Sequence, residues 1–211
     1  MNITVGKIGA AVTGLAVLSF AISMIFGLFT DTIFISCLAS IFIAIGFIPF
    51  MVSLFTVNDD MDKRSVGLTG IAFAVVYAVI IFLVYFAECT TVRLNTGLSD
   101  EALSIISYGY IGSLFFNYDL LGYGFMGLST FLIGFTVKAD DRASKALRLL
   151  LLIHGIFFLS CLIVPLFPVF KAGTSSVPGT ILLETWCAYF LPVCILGYKY
   201  FSRKKAQFDN A

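Results

Sequence analysis

Three carboxylates, Glu88, Asp119 and Glu184, interrupt stretches of chain that are otherwise strongly apolar. An ionisable group inside a membrane-spanning helix costs about 2.5–3.5 kcal/mol on insertion scales, so it faces protein or water rather than lipid. The chemistry open to such acids is recognition of a cation or handling of a proton. Arg93 is the base nearest their level, and Asn117, Tyr118, Tyr123 and Trp186 add neutral hydrogen-bonding groups. Three carboxylates facing one guanidinium leave an excess of negative charge, which protonation, water or a bound cation resolves. Helical spacing puts Asp119 on one face with Gly122, Tyr123 and Gly127, and Glu184 with Cys187 and Ala188. Small residues allow close helix approach, so both acids are expected to look into a bundle rather than at lipid. Glu88 follows a stripe of Tyr77, Ile81 and Tyr85. The expected product is an outward-opening polar pocket lined by Glu88, Arg93, Asn117, Tyr118, Asp119, Tyr123, Glu184 and Trp186. The plainer alternative puts Glu88 and Arg93 in interfacial water, makes Trp186 and the outer tyrosines an aromatic belt, and leaves Asp119 and Glu184 as structural hydrogen-bonding groups. His154 reads first as an interhelical hydrogen-bonding group and second as a proton-handling residue.

The elements that would hold these side chains follow from composition. Hydrophobic residues make up 60% of the 211-residue chain and charged residues 12%; a soluble domain has no interior large enough for that much apolar surface. A bilayer core takes about 20 apolar residues per helical span. Six runs qualify, at about 8–29, 33–55, 66–88, 111–137, 147–166 and 181–200. The first is too long for a signal-peptide core and reads as a retained helix. The fold expected is therefore all-α, one domain over 1–211, a bundle of six transmembrane helices joined by short loops.

Basic residues orient that bundle. Lys7, Lys63, Arg64, Lys138, Arg142, Lys145, Arg148, Lys199, Arg203, Lys204 and Lys205 fall on one side of the six spans, whereas Arg93 and Lys171 fall on the other. Cytoplasmic loops retain Lys and Arg, so both termini are expected inside, in agreement with an even number of spans. The acids then lie near the outer face: Glu88 ends the third span, Asp119 sits a turn or two inside the fourth, and Glu184 about one turn inside the sixth. The outer run from Ser99 to Tyr110 reads as a short capped helix, with Asp100 and Glu101 in its first turn. On the inner side, Lys138 to Arg142 and Arg203 to Lys205 suit anionic lipid head groups.

Several chemistries are excluded by what is missing. Five cysteines, Cys37, Cys89, Cys161, Cys187 and Cys194, show no paired close spacing, and a single histidine removes the common His-pair metal sites. There is no P-loop, dinucleotide-binding glycine pattern, HExxH or GxSxG. No cofactor, metal or nucleic acid is expected, and the chain is read as no enzyme.

In length, six spans and inside termini the chain resembles the substrate-binding S components of energy-coupling-factor transporters. Ala10 with Gly14 is a partial match to the Ala-x-x-x-Ala pattern by which those components dock on a partner, the second alanine being replaced. The resemblance implies an outward pocket for a small solute and a membrane protein partner. Tyr118-Asp119 is similar to the Tyr-Asp of intramembrane aspartyl proteases, but their second motif, Gly-x-Gly-Asp, is missing. The leading expectation is a multi-pass protein of a plasma or bacterial inner membrane that binds or transports a small cationic or proton-coupled solute. The alternative is a non-catalytic assembly, sensing or regulatory protein whose intramembrane acids are structural. Small-residue faces, Gly6, Gly9, Ala10 and Gly14 in the first span with Gly127 and Gly134 in the fourth, are expected to serve close packing, a partner or a second copy.

Overall fold

The computed structural model describes residues 1–58, 60–95, 97–167 and 177–209, so Lys171 lies outside the described residues. All regular structure among them is helical: α1 Asn2–Phe26, α2 Ile33–Thr56, α3 Arg64–Ala87, α4 Asp100–Ile106, α5 Leu114–Thr136, α6 Arg142–His154, α7 Ile156–Leu166 and α8 Val177–Asp209. A 3-10 turn, Met61–Lys63, leads into α3, and a π-helical turn, Glu88–Val92, leaves it. Among the described residues, five helical stretches are long and apolar enough to cross a membrane: α1, α2, the α3 unit Met61–Val92, α6 with α7 across Arg142–Leu166, and α8.

The expected fourth span corresponds to α5, which has the length but not the hydropathy. Asn117, Asp119, two tyrosines beside them and Gly122, Gly124, Gly127 and Gly134 dilute it. Its surroundings explain why that composition is tolerated. α5 packs against α3, α6 and α7 and touches α2, so much of its surface meets protein, where glycines admit close neighbours and polar groups escape lipid.

Close approach holds the first two helices together. A Cβ on Gly9 would stand 2.6 Å from the Phe50 backbone nitrogen, and one on Gly46 would stand 2.7 Å from that of Thr13. Ser23 and Ser36 share a 2.8 Å hydrogen bond farther along, and Thr32 Oγ1 donates to the Ser23 carbonyl at 2.7 Å. Because lipid supplies little hydrophobic drive for helix pairing, such packing carries much of the association. Gly9→Val, which forces backbone against backbone, is expected to cost about 3 kcal/mol, seen as a lowered midpoint in thermal unfolding of the detergent-solubilised protein.

The other small-residue positions are also taken up within the chain. Gly6 faces the Phe201 ring, Gly14 faces Cys194, Gly127 faces the backbone at His154 and Phe158, and Gly134 faces Leu152. Ala10 is buried. Gly14 thus faces α8, and Ala10, one turn before it, is buried within the bundle.

Both chain ends meet at one end of the bundle. Lys7 Nζ lies 4.7 Å from the centre of the Tyr198 ring, and Tyr200 Oη donates a 2.6 Å hydrogen bond to Asn58 Oδ1. The basic tail of α8 turns onto the loop before α6, where Arg203 pairs with Asp141 and Lys204 with Asp140. Asp141 also caps α6 by accepting from the Ala143 and Ser144 amides. The Arg203 guanidinium beside it, together with those amides, holds its carboxyl well below the usual carboxylate range. Part of the basic charge that the sequence assigns to lipid head groups is thus matched by acids of the same chain. The far end, some 35 Å away along α2 at about 1.5 Å per residue, holds the α1–α2 turn, α4 and the start of α5.

Candidate functional site

At that far end the helices separate around a cavity of about 480 Å³. Its walls come from the α1–α2 turn, the segment Tyr108–Ile111, the first turns of α5, Val164 of α7, and Gly179, Thr180, Leu182 and Leu183 of α8. A second chamber of about 80 Å³ lies deeper, toward Phe20, Tyr123, Phe157, Cys161 and Trp186. The two share Asp119, Leu120, Val164, Leu182 and Leu183. Asp119 is common to both chambers, about 8 Å along α5 from its first residue.

Asp119 is 4% exposed, and its Oδ1 is fully buried with no hydrogen-bond partner in the protein. Around it stand more buried polar atoms in the same condition, the hydroxyls of Tyr77, Tyr85 and Tyr123. Tyr85 lies within interaction range of the Asp119 carboxyl without closing a hydrogen bond to it. Native interiors leave few buried polar atoms unpaired, and two of these residues, Asp119 and Tyr123, line the chambers, whereas Tyr77 and Tyr85 stand behind the walls. Packing fixes the rings: Tyr77 meets Tyr123 edge-on at 5.6 Å, Tyr123 meets Trp186 at 5.2 Å, and Tyr85 meets Tyr108 at 5.3 Å. Among the described residues no Lys, Arg or His lines either chamber. A second acid, Asp31, lines the outer one. Two carboxyls and no base among the described wall residues make a lining better matched to a cation than to an anion.

The structure separates the residues that the sequence grouped. Asp119, Tyr123 and Trp186 line the chambers. Glu88 does not: it is 5% exposed and occupied on both oxygens, Oε1 by the Ser107 hydroxyl at 3.0 Å and Oε2 by the Tyr108 amide at 3.0 Å. This acid is an anchor that ties the end of α4 to the end of α3. Arg93 is exposed; its Nε donates to the Cys89 carbonyl at 2.9 Å and its guanidinium covers the Phe34 ring at 4.6 Å. Asn117 donates to the Gly112 carbonyl at 3.4 Å, and Tyr118 is 45% exposed on the outer surface of α5. Glu184 is half-buried, with Oε1 unpartnered, and lies off both cavity walls. Asp31 and Tyr108 were missed as wall residues. The signal available for Asp31 was its place in the short turn between α1 and α2, where an acid lies directly beside the helix ends.

His154 sits where α6 breaks into α7, and its hydrogen bonds have one consistent direction. Trp186 Nε1–H can only donate, so His154 Nε2 accepts, at 3.0 Å. A neutral imidazole then carries its proton on Nδ1 and gives it to Thr130 Oγ1 at 2.7 Å. The Thr130 hydroxyl in turn donates to the carbonyls of Gly127 and Met126, at 2.9 and 3.1 Å. A second proton on the ring would set Nε2–H against the indole N–H. The chain of donors thus favours a neutral, buried histidine that joins α5, α6 and α8, and it fixes Trp186, a wall of the inner chamber.

No protein-family model, curated protein or solved structure matches the chain. All five cysteines are free and buried. Among the described residues no group of three or more His, Cys, Asp or Glu side chains is placed to hold a metal ion.

Proposed function

We propose that this is a six-pass membrane protein, with α5 as its least apolar pass and both termini cytoplasmic, which binds or moves a small cationic solute by exchange with a proton at Asp119. The basic residues concentrated at the end where the termini meet support the orientation, and a plasma or bacterial inner membrane suits it. The cavity then opens on the outer side. The observation that carries the functional reading is the Asp119 carboxyl: buried, lacking a protein partner on Oδ1, and placed on both chambers with no base among the described wall residues. A buried carboxyl is stable in two forms, as the neutral acid or as a carboxylate paired with a cation. Alternation between the two exchanges one proton for one cation. A cavity of about 480 Å³ is in the range of small-molecule sites, about 300–1,000 Å³.

Glu88 favours the structural reading for itself alone, since protein donors occupy both of its oxygens. Asp119 lacks that feature. The proton exchange is tested by titrating the purified protein with an organic ammonium salt in two buffers of different ionisation enthalpy. Release of about one proton per bound cation is expected, with apparent affinity rising toward one decade per pH unit while the empty site is protonated. Binding heats independent of buffer would remove the exchange, and no binding of any cation would remove the site.

A further inference from the structure

The two chambers differ in what they reach. The outer one meets the outer end of the bundle through Thr30, Asp31 and Tyr110. The inner one lies between α7 and α8, and those helices scarcely touch: α7 leans on α5, whereas α8 leans on α1 and α6. Two residues of the chamber walls are also open to the outside of the bundle. Leu182, shared by both chambers, is 47% exposed, and Ser160 of the inner chamber is exposed as well. Ser160 lies six residues before the end of α7, about 9 Å below it, so its surroundings on a spanning helix are acyl chains and not water. The inner chamber therefore has a side window at lipid depth. Its walls are mainly apolar, from Phe20, Leu120, Phe157, Val164 and Leu183, with the unpartnered acid Asp119 at its upper end.

We propose that the Asp119 site takes amphiphilic organic amines, which reach it sideways from the bilayer through the window between α7 and α8, the ammonium group seated at Asp119 and the hydrocarbon part in the fissure. This rests on the reading of Asp119 as a cation site and adds the class of cation and its route. In the inner chamber a small hydrated cation would meet side-chain oxygens only from Asp119, Tyr123 and Ser160 among the described wall residues, fewer than the roughly six or more that a hard cation takes. An anionic lipid head group would meet the carboxyls of Asp119 and Asp31 and, among the described wall residues, no base. A single positive nitrogen with an apolar body satisfies both halves of the site.

Trp186 is the chain's single tryptophan and a wall of the inner chamber, so its fluorescence reports occupancy without any engineered label. The test titrates protein in phosphatidylcholine nanodiscs with n-alkylammonium salts from propyl to decyl, the decyl member also in a tail-brominated form. Controls are Asp119→Asn and a Val164→Phe, Leu182→Phe double variant that narrows the window; both of its sites are partly open and tolerate a larger ring. Against free aqueous amine, wild-type affinity should rise about fourfold per methylene at about 0.8 kcal/mol each, and the brominated tail should quench Trp186 beyond the quenching in Asp119→Asn, which measures amine merely dissolved in the bilayer. Because Val164 and Leu182 also line the Asp119 site, the double variant is read as a ratio: its loss should be at least tenfold greater for decylammonium than for propylammonium. Propylammonium binding that depends on Asp119, with no gain from longer chains, would overturn the amphiphile proposal and leave the cation site standing. No difference between wild type and Asp119→Asn for any amine would overturn both. Quenching by tail-brominated phosphatidylcholine that amines fail to relieve would assign the fissure to lipid and overturn the proposal.

Discussion

Replacing Asp119 with asparagine is expected to leave the protein at least as stable as the wild type while weakening cation binding on the order of 100-fold. The two halves of this result come from the same geometry. The carboxyl is 4% exposed and its Oδ1 accepts no hydrogen bond from the protein, so removing its capacity for charge breaks no internal bond and relieves the desolvation of an acid. An amide of the same shape still reaches Tyr85 but cannot neutralise an ammonium group, and truncating one partner of a buried charge pair costs about 2–5 kcal/mol. The measurement is a pair of thermal melts with and without ligand. If Asp119 were a structural acid, the asparagine variant would melt well below wild type and the ligand comparison would have no stable protein to act on.

Glu88 is expected to behave in the opposite way, although it is the same kind of group at a similar level. Glu88→Leu leaves the Ser107 hydroxyl and the Tyr108 amide without their acceptors. At about 1–3 kcal/mol for each orphaned donor, the loss should be about 3 kcal/mol, together with faster hydrogen exchange at the Tyr108 amide. Glu88→Gln should recover most of it. Its one carbonyl oxygen can accept from the Tyr108 amide, which cannot turn, while its NH₂ faces the Ser107 hydroxyl, which can. Recovery by glutamine would show that the anchor acts through hydrogen bonds; failure of glutamine to improve on leucine would show that the charge itself is needed. Because Tyr108 also lines the outer chamber, the leucine variant should weaken ligand binding as well, through the loosened wall.

These two acids show how far the sequence could be read. Their presence in apolar stretches and their common depth are visible from hydropathy alone, because a helix converts residue number into height. Which one faces a cavity is not visible. The partners of Glu88 lie 19 and 20 residues away and meet it only because α3 leaves through a π-helical turn, Glu88–Val92, which no residue pattern announces. Arg93, grouped with the acids by level, is drawn off by that same turn toward the Cys89 carbonyl and the Phe34 ring.

Glycine spacing told a similar half of the story. It correctly signals close helix approach at Gly9, Gly14 and Gly127, but a small face reads the same whether the neighbour is another chain or, as here, α2, α8 and the junction of α6 with α7. The polar composition of α5 has the same ambiguity. It lowers the hydropathy of that segment below the level of the five candidate spans, and only the helices packed around it show that protein, rather than water, surrounds much of it. His154 was legible as an interhelical group. The direction of its bonds was not, since that depends on Trp186 and Thr130 arriving from two other helices.

The central claim, that Asp119 forms a cation site, is tested most directly by comparing an amine with its isosteric neutral alcohol in thermal unfolding of the wild-type protein. At 100 times its dissociation constant a ligand adds about 2.7 kcal/mol, which is readily seen. The amine should raise the midpoint, the alcohol of equal length should do so far less, and Asp119→Asn should erase the difference between them. Equal stabilisation by amine and alcohol, or a preference for the amine that persists in Asp119→Asn, would contradict the account.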